Sequence, residues 1–311
     1  MTPPTMRFDN RVVVITGAGA GLGRSYALEF ARRGAKVVVN DLGGSAQGDG
    51  ADKSVAQTVV DEIIAEGGEA IANTDNVIEG GRIIENAMDT FGKIDIVINN
   101  AGILRDVSFH KMTEEDWKLI FDIHVNGAFA VTHAAWPIMR KAGYGRIINT
   151  SSAAGIYGNF GQVNYAAAKL ALYGMVTALS EEGKGKGIFV NAIAPVAASR
   201  LTENLIPPEI FKALKPEFVT PLVVMLCHEN SEINGELFEV GGGWISKLRW
   251  QASEGATFEP SDSFTAETLK EKWHDVEDFD HSYNPSNIMA PLEKVMKNIG
   301  TNRSSQKQDD K

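Results

Sequence analysis

The chain of 311 residues has one cysteine, Cys227, and lacks the usual marks of secreted and membrane proteins. A single thiol excludes an intramolecular disulfide and a multi-cysteine zinc site, so we expect Cys227 to be a small buried hydrophobic residue. No apolar run approaches the roughly 18 residues that span a bilayer. The opening MTPPTMRFDN has no apolar signal core, and the end, TNRSSQKQDDK, is not a Ser-Lys-Leu peroxisomal signal. These absences predict a cytoplasmic protein without a membrane partner.

Positive charge is also scarce: 30 Lys and Arg residues face 40 Asp and Glu residues, for a net charge of -10. This balance argues against a general affinity for nucleic acid or anionic membranes, although it permits a local basic pocket for a phosphorylated substrate. The 43% of apolar residues and 23% of charged residues are typical of a globular protein with a sizeable core.

Seven short apolar runs alternate with longer segments of helical character. The runs cover residues 12–15, 36–39, 70–72, 94–98, 146–150, 188–193 and 237–240. Runs that are apolar on both faces are typical of a parallel sheet covered by helices. We therefore predict an α/β fold over residues 1–250, with a Rossmann-like, doubly wound, seven-stranded parallel sheet.

The composition changes after Trp250, where the chain becomes acidic and mixed. We interpret residues 251–311 as a C-terminal helical extension whose tail is disordered from about residue 301. Ser263, Thr265 or a nearby polar residue is expected to cap a helix that runs through Trp273. The apolar residues of the extension are too few for a second core, so it should pack on the main domain or on a partner subunit.

A glycine-rich turn, VVVITGAGAGLG, follows the first predicted strand and enters an amphipathic helix. Gly17, Gly21 and Gly23, with Leu22 between the last two, allow a tight turn and a close approach to a pyrophosphate at the helix N-terminus. Such a turn alone fits a plain loop equally well. Its position on the first strand favours a dinucleotide site.

Asp41 ends the second predicted strand, eighteen residues after Gly23. A carboxylate there can accept hydrogen bonds from the adenosine ribose and repels a 2′-phosphate, which predicts NAD as the cofactor. The alternative is a turn residue before the following glycines. Asp75, after the third strand, is either an adenine contact or the cap of the next helix.

The fourth predicted strand ends in INNAG. Ligands of such sheets bind outside the carboxyl ends of the strands, so Asn99, Ala101 and Gly102 are candidate cofactor residues. Asparagine side chains can bridge neighbouring loops, and Gly102 leaves room for a ligand. Taken alone, this segment also fits an ordinary turn.

The segment SSAAGIYGNFGQVNYAAAK contains a candidate acid/base site. Tyr165 and Lys169 are four residues apart, so on a helix they share one face, as they also would on a plain helix surface. Lys169 and the positive ring of NAD⁺ would favour tyrosinate; lowering the tyrosine pKa by about three units requires roughly 4 kcal/mol. Ser152 either binds the same substrate oxygen or is only a strand-end hydroxyl. A carbinol held there can lose its proton to Tyr165 and its hydride to NAD⁺.

These pieces, in this order, resemble the short-chain dehydrogenase/reductase family over residues 7–250. The resemblance implies that Ser152, Tyr165 and Lys169 are catalytic. It also implies a fourth catalytic residue, Asn126 in HVNGAF, which would hold a water connecting Lys169 to solvent. The alternative for Asn126 is a polar residue at a helix kink.

The loop after the sixth predicted strand departs from the family pattern. The family has glycine after the proline of this loop, whereas Val196 follows Pro195 here. We therefore expect a stiffer loop on the nicotinamide side, with Pro195 as a cofactor contact. The next segment, SRLTENLIPPEIFKALKP, lies where a substrate-covering loop is expected.

Several stretches resemble a narrower group, the (3R)-hydroxyacyl-CoA dehydrogenase domains of peroxisomal multifunctional enzymes. They are NDLGG, NNAGILRD, SSAAGIYGNFGQVNYAAAKLAL and LFEVGGGWISKLRW. The resemblance implies NAD-dependent oxidation of (3R)-3-hydroxyacyl-CoA in fatty acid β-oxidation. It also implies a homodimer in which the C-terminal extension helps to close the partner's active site. Because the fused hydratase and sterol-carrier domains of that group are absent here, we expect a stand-alone dehydrogenase of bacterial type.

Other functions stay open. The same fold and residues serve hydroxysteroid and other secondary-alcohol dehydrogenases. A 3-oxoacyl reductase using NADPH is disfavoured by Asp41, and a non-enzymatic dinucleotide sensor has no need of Ser152, Tyr165 and Lys169. Candidate cations for the phosphates of CoA are Arg105, Lys111, Arg200, Lys247 and Arg249. For each of them the sequence favours a solvated surface charge over a phosphate contact.

Overall fold

The structure, a computed structural model, describes residues 5–198, 209 and 213–305. The chain divides into two compact units, residues 1–248 and residues 249–311. Across the described ranges, no helix combines the length and the apolar character that a membrane crossing needs.

The strands of the first unit form one sheet. They are β1 (Val12–Thr16), β2 (Lys36–Asn40), β3 (Glu69–Asn73), β4 (Ile96–Asn99), β5 (Gly145–Thr150), β6 (Ile188–Pro195), β7 (Leu237–Gly241) and β8 (Trp244–Leu248). The spatial order is β3-β2-β1-β4-β5-β6-β7-β8. Strands β1 to β7 pair in parallel, whereas β8 is antiparallel to β7. The predicted α/β doubly wound fold is confirmed.

The predicted number of strands was one too low, because β8 carries no continuous apolar run. It follows β7 through Gly242 and Gly243, whose φ values of 56° and 86° suit a two-residue hairpin turn. As an edge strand it is partly exposed, with Trp244 and Ile245 about half accessible. Its pattern therefore differs from that of the buried parallel strands.

Helices flank the sheet of the first unit. They are α1 (Gly21–Arg32), α2 (Ser54–Ala65), α3 (Gly80–Phe91), α4 (Glu114–Phe121), α5 (Gly127–Ala142), α6 (Ala153–Tyr157), α7 (Val163–Lys184) and α8 (Thr220–Cys227). A π-helical turn, Asp122–Asn126, joins α4 to α5.

The core consists of two large clusters, one on each face of the sheet. Because successive side chains of a strand point to opposite faces, Val13 and Ile15 join the cluster with residues of α1, α2 and α8, whereas Val14 joins the cluster with α3, α5 and α7. This two-sided burial explains the continuous apolar runs. Cys227 is fully buried in the first cluster, as predicted.

The second unit contains small elements. They are β9 (Ala252–Ser253), α9 (Ala266–Glu271), α10 (Trp273–Glu277), β10 (Ser282–Tyr283) and α11 (Met289–Ser305), with β9 and β10 antiparallel. Thr265 caps α9 through a capping box with Thr268, and it is one of the residues predicted to cap this helix. The expectation of one helix through Trp273 was wrong, because Lys272 leaves the helical conformation at φ -106°, ψ 17°. Of the tail predicted to be disordered from about residue 301, the first residues belong to α11, and residues 306–311 lie outside the described residues.

The sheet order positions the site. Strands β1 and β4 are neighbours, and from this pair the chain winds in opposite directions, toward β3 on one side and β7 on the other. In open α/β sheets a crevice forms at this switch point, outside the carboxyl ends of the strands. The loops after β1, β2, β4, β5 and β6 therefore converge on one cleft.

The contact between α3 and α5 allows a matched test of packing. A Cβ added to Gly80, the first residue of α3, would lie 2.2 Å from the backbone nitrogen of Val131 in α5, whereas one on Gly81 meets no atom within 4 Å. We expect Gly80→Ala to lower the free energy of unfolding by about 1–3 kcal/mol through overpacking. Gly81→Ala should be neutral or stabilising by up to about 1 kcal/mol. Urea denaturation measures both; equal effects would contradict the contact.

Candidate active site

A cleft of about 500 Å³ opens at the carboxyl ends of the central strands. The predicted site residues that line it are Gly17, Gly21, Leu22, Asp41, Asp75, Ala101, Gly102, Ser152, Tyr165, Lys169 and Pro195. Three predicted residues, Gly23, Asn99 and Asn126, are not in its lining.

The glycine turn forms one wall of the cleft. Gly17 and Gly21 have φ values of 64° and 53°, which a side chain would strain. A Cβ on Gly17 would lie 2.8 Å from Cα of Ala101, and one on Gly23 would lie 2.2 Å from the carbonyl oxygen of Gly17. Gly23 thus seats α1 on the turn rather than facing the cleft. The open N-terminus of α1 fits the pyrophosphate of a dinucleotide.

Asp41 is held rigidly at the end of β2. One carboxylate oxygen accepts a hydrogen bond from the backbone N–H of Gly19 at 2.8 Å, and the other from that of Gly43 at 2.7 Å. The residue therefore does organise a turn, as the alternative proposed. A carboxylate has about four lone-pair sites, so both oxygens can still accept from ribose hydroxyls.

Asp75 lies at the same end of the cleft. Its carboxylate accepts a hydrogen bond from Nδ2 of Asn73 at 2.8 Å and lies 3.7 Å from Nε of Arg82. The helical turn that follows is capped by Asn76, whose side chain accepts from the N–H of Ile78. The capping role considered for Asp75 was therefore wrong.

The two asparagines after β4 have different roles. Asn99 is buried and donates to Oγ1 of Thr132 and Oδ1 of Asn149, so it supports the sheet from below the cleft. Asn100 faces the cleft and donates through Nδ2 to the carbonyl oxygens of Thr16 and Gly17 at 3.0 and 3.1 Å. Asn99 was the predicted cofactor residue, and Asn100 was not predicted. Successive side chains of a strand point to opposite faces, which places the two asparagines on different sides.

The Ser-Tyr-Lys group meets in the cleft. Ser152, just after β5, is the N-cap of α6, and its Oγ accepts from the N–H of Ala154 at 3.2 Å. Tyr165 and Lys169 lie one turn apart on α7, with Nζ 5.5 Å from the centre of the tyrosine ring. Lys169 is 4% exposed and donates to the carbonyl oxygen of Thr150 at 2.7 Å.

Burial dominates the electrostatics of this group. Loss of water raises the pKa of Tyr165 to about 12, although a hydrogen bond with Ser152 acts in the opposite direction. Loss of water also lowers the pKa of Lys169 to about 7. The expected lowering of the tyrosine pKa is therefore absent from the protein alone, because desolvation of the tyrosinate outweighs the other effects.

In the π-helical turn, His124 lines the cleft and the predicted residue Asn126 does not. Asn126 is exposed and donates to Oδ1 of Asp122 at 2.8 Å, away from the cleft lining. His124, which sequence reasoning missed, is 2% exposed and lines the cleft. Its ring meets the ring of Tyr165 edge to face at 5.3 Å. The sequence feature that could have indicated it is the histidine two residues before Asn126 in HVNGAF.

The loop after β6 is anchored where it enters the cleft. Val196 donates its N–H to the carbonyl oxygen of Val240, and both Pro195 and Val196 line the cleft. The predicted substrate-covering segment lies largely outside the described residues, as does Arg200.

The other candidate cations for CoA phosphates stand outside the cleft lining. Arg105 donates to the carbonyl oxygen of Gln47 and to Asp49, and Lys247 pairs with Glu236 at 2.7 Å. Lys111 and Arg249 are exposed, the latter in the second unit. Among the described residues that line the cleft, the acidic and basic side chains are Asp41, Asp75 and Lys169.

The chain matches a known protein family and several known proteins. Residues 11–205 match the family described as short chain dehydrogenase. The chain is 52% identical to peroxisomal multifunctional enzyme A of Dictyostelium discoideum, over 94% of this chain and 65% of that protein. The structure of full-length peroxisomal multifunctional enzyme type 2 from Drosophila melanogaster superposes with a TM-score of 0.81 at 43% identity, over 94% of this chain and 49% of that one. The chain thus spans about half to two thirds of these relatives.

A third similarity concerns a structure with bound ligands. It is a 7α-hydroxysteroid dehydrogenase complexed with NADH and 7-oxo glycochenodeoxycholic acid, with a TM-score of 0.69 and 31% identity. The match covers 76% of this chain and 95% of the dehydrogenase.

The buried lysine predicts a specific pH dependence of stability. As the pH rises from 7 to 9 the folded protein loses the proton of Lys169, whereas the unfolded chain, with an ordinary lysine pKa of 10.5, keeps it charged. The unfolded state binds the extra proton, so this group makes stability rise with pH by about 1.4 kcal/mol per unit across that window. Lys169→Met also removes the hydrogen bond to the carbonyl oxygen of Thr150. This loss changes the free energy of unfolding by an amount that does not vary with pH.

We therefore expect the stability of Lys169→Met relative to the wild type to fall by about 2–3 kcal/mol between pH 7 and 9. Urea denaturation at both pH values measures it. Lys184→Met, at the exposed end of the same helix, is the control and should show no such trend. A pH-independent difference for Lys169→Met would mean that the lysine stays charged in the folded protein.

Proposed function

Because the chain belongs to the short-chain dehydrogenase family, we propose that it oxidises (3R)-3-hydroxyacyl-CoA to 3-oxoacyl-CoA and reduces NAD⁺. Family membership makes it an oxidoreductase that uses a nicotinamide dinucleotide. One observation supports this reaction above all. Ser152, Tyr165 and Lys169 line the same cleft as a glycine turn at a helix N-terminus.

The choice of NAD over NADP rests on charge. Asp41 would accept hydrogen bonds from the adenosine ribose, and its fixed carboxylate would repel a 2′-phosphate. The acidic and basic side chains of the described lining, two aspartates and Lys169, leave the adenosine end acidic. Asp75 would lie near the adenine.

The proposed chemistry assigns one step to each side chain. Bound NAD⁺ supplies the hydride acceptor and a positive charge. Ser152 would donate a hydrogen bond to the carbinol oxygen, and Tyr165, once ionised to tyrosinate, would take the carbinol proton. Lys169, with a pKa of about 7, can exchange protons at neutral pH, and in its charged form it favours tyrosinate.

The substrate class rests on the relatives. Two of them carry the name peroxisomal multifunctional enzyme and match nearly the whole chain. A secondary alcohol of any kind would satisfy Ser152 and Tyr165, so the acyl-CoA part of the proposal comes from this similarity. Location stays a prediction: the sequence favoured the cytoplasm, whereas these relatives are named as peroxisomal.

A hydroxysteroid is the second candidate substrate. The 7α-hydroxysteroid dehydrogenase that binds a bile-acid derivative shares 31% of its residues with the matched part of this chain. Its coverage and identity are lower than those of the multifunctional enzymes, so the acyl-CoA has the stronger support.

We also propose a homodimer. Helix α11 of the second unit exposes large apolar side chains, among them Leu292, Val295 and Met296. Such residues gain stability when a partner surface covers them. A second copy of the chain is the partner that the family resemblance implies.

The decisive experiment compares substrates. Purified protein should reduce NAD⁺ with (3R)-3-hydroxyacyl-CoA and do so far more slowly with the (3S) isomer, with a hydroxysteroid or with NADP⁺. Formation of NADH or NADPH at 340 nm measures all four reactions. Turnover of only the steroid would contradict the acyl-CoA proposal, and equal use of NADP⁺ would contradict the role of Asp41.

The role of Tyr165 has its own test. We expect Tyr165→Phe to lower kcat by about 10²–10⁴-fold, because the proton acceptor is lost while the ring is kept. NADH affinity, measured by fluorescence titration, should change little. Tyr173→Phe, a buried tyrosine two turns along α7, is the control and should retain activity. Near-normal turnover by Tyr165→Phe would exclude it as the base.

A further inference from the structure

The connection between β2 and α2, residues 41–53, is much longer than the usual βα loop of about 2–6 residues. Strands β2 and β4 are separated in the sheet by β1, yet the middle of this connection is hydrogen-bonded to the loop after β4. The connection therefore crosses the carboxyl end of β1, where the glycine turn lies. We call residues 43–52 the strap.

The strap is closed at its base and bonded within its tip. At the base, the N–H of Asp52 donates to the carbonyl oxygen of Leu42 at 3.1 Å. In the tip, the N–H of Ser45 donates to the carbonyl oxygen of Asp49 at 2.8 Å, and Oγ of Ser45 accepts from the N–H of Asp49 at 3.2 Å. A loop whose ends lie close together and whose tip is bonded to itself can move as one piece about its base.

Hydrogen bonds hold the tip of the strap on the loop after β4. The N–H of Leu104 donates to the carbonyl oxygen of Ala46 at 3.0 Å. The side chain of Arg105 donates through Nε to the carbonyl oxygen of Gln47 at 2.8 Å, and through Nη2 to Oδ1 of Asp49 at 2.9 Å. One side chain thus makes two of these bonds, so the closed position of the strap depends on Arg105.

The inner side of the strap bounds the cleft. Ala46 and Gly48 line it together with the glycine turn, whereas Arg105 stands outside its lining. The tip lies close to the loop after β4, since a Cβ on Gly48 would lie 2.8 Å from Cδ1 of Ile103. A dinucleotide held by the glycine turn would therefore occupy a space that the strap encloses on one side, and Arg105 would act on it only through the strap.

The bonds of Arg105 are weak enough to break and reform. Its side chain is 30% exposed, and that of Asp49 is 72% exposed. Ion pairs in contact with water contribute little, because water competes for both partners. These bonds join protein to protein, so they must break for a ligand to enter as well as for it to leave.

We propose that the strap covers the dinucleotide site and that Arg105 is a positioning residue that holds it closed. Opening of the strap then limits the rates at which a nicotinamide dinucleotide enters and leaves the cleft. The inference rests on the dinucleotide site of the proposed function, but not on the alcohol that is oxidised.

The first test measures binding rates by stopped-flow fluorescence, with whichever of NADH and NADPH binds the wild type more tightly. We expect Arg105→Met to raise the association and dissociation rate constants by the same factor, about tenfold, because opening precedes both steps. The Kd should then change by less than about threefold. Lys111→Met removes the same charge from an exposed residue of the same loop and should keep the wild-type rates.

A second variant separates the strap from long-range electrostatics. Asp49→Ala removes one of the two bonds of Arg105, so both rate constants should rise, by less than in Arg105→Met. The two substitutions change the net charge in opposite directions. An effect of charge on the anionic dinucleotide would therefore move the association rate constants of the two variants in opposite directions.

Hydrogen exchange of the protein without ligand measures the opening itself. The N–H of Leu104 has its acceptor in the strap, so it loses protection when the strap opens. We expect this amide to exchange about tenfold faster in Arg105→Met, whereas Lys111→Met should match the wild type. The N–H of Asp52, bonded within the base, should keep its protection because the strap moves as one piece.

Three outcomes would overturn the inference. The first is a folded Arg105→Met with wild-type binding rates and wild-type exchange at Leu104. The second is a rise of the dissociation rate constant alone with a matching loss of affinity, as for a side chain that touches the ligand. The third is a pair of opposite changes in Arg105→Met and Asp49→Ala. If Arg105→Met does not fold, wild-type rates in Asp49→Ala overturn it.

These measurements involve no alcohol substrate. A protein that does not oxidise hydroxyacyl-CoA would contradict the proposed function, whereas the binding rates and the exchange at Leu104 would still decide the role of Arg105.

Discussion

The close approach of β1 and β4 is the constraint on which the cleft depends. Gly17 lies so near Ala101 that a Cβ would not fit, and the side chain of Asn100 donates across the gap to Thr16 and Gly17. These contacts join the glycine turn after β1 to the loop after β4 on one wall of the cleft. Because side-chain-to-backbone hydrogen bonds and a close backbone contact make the junction, a shift of either loop alone would break these contacts.

The same burial that forms the cleft sets its protonation states. Tyr165 and Lys169 are both pushed toward their neutral forms, the tyrosine with a pKa of about 12 and the lysine with a pKa of about 7. A site of this kind has little charge of its own and responds strongly to any charge that enters it, because a low dielectric strengthens electrostatic interactions. The proposed dependence of proton transfer on a positively charged cofactor follows from this property.

Much of the fold and of the site could be predicted from the sequence. The runs of β1 and its neighbours are apolar on both faces and alternate with helical segments, the pattern that a parallel sheet covered by helices requires. Glycines at the end of the first strand, an aspartate at the end of the second, and Tyr165 and Lys169 at helical spacing all line one cleft. In each case the position along the chain and the residue type together determined the location.

Two of the differences at the site concern the direction in which a side chain points. Asn99 and Asn100 are adjacent and chemically identical, and only the pleat of β4 decides which one faces the cleft. Asn126 and His124 are two residues apart in a π-helical turn, whose geometry the pattern HVNGAF does not reveal.

The sequence by itself thus determined the fold class, the end of the sheet at which the cleft lies and the residue types of the proposed acid/base pair, because these follow from periodicity and chain order. Only the tertiary structure decided which amide or imidazole enters the cleft and what burial does to Tyr165 and Lys169. Those properties depend on side-chain direction and on distance from water, which are set by contacts between segments far apart in the chain.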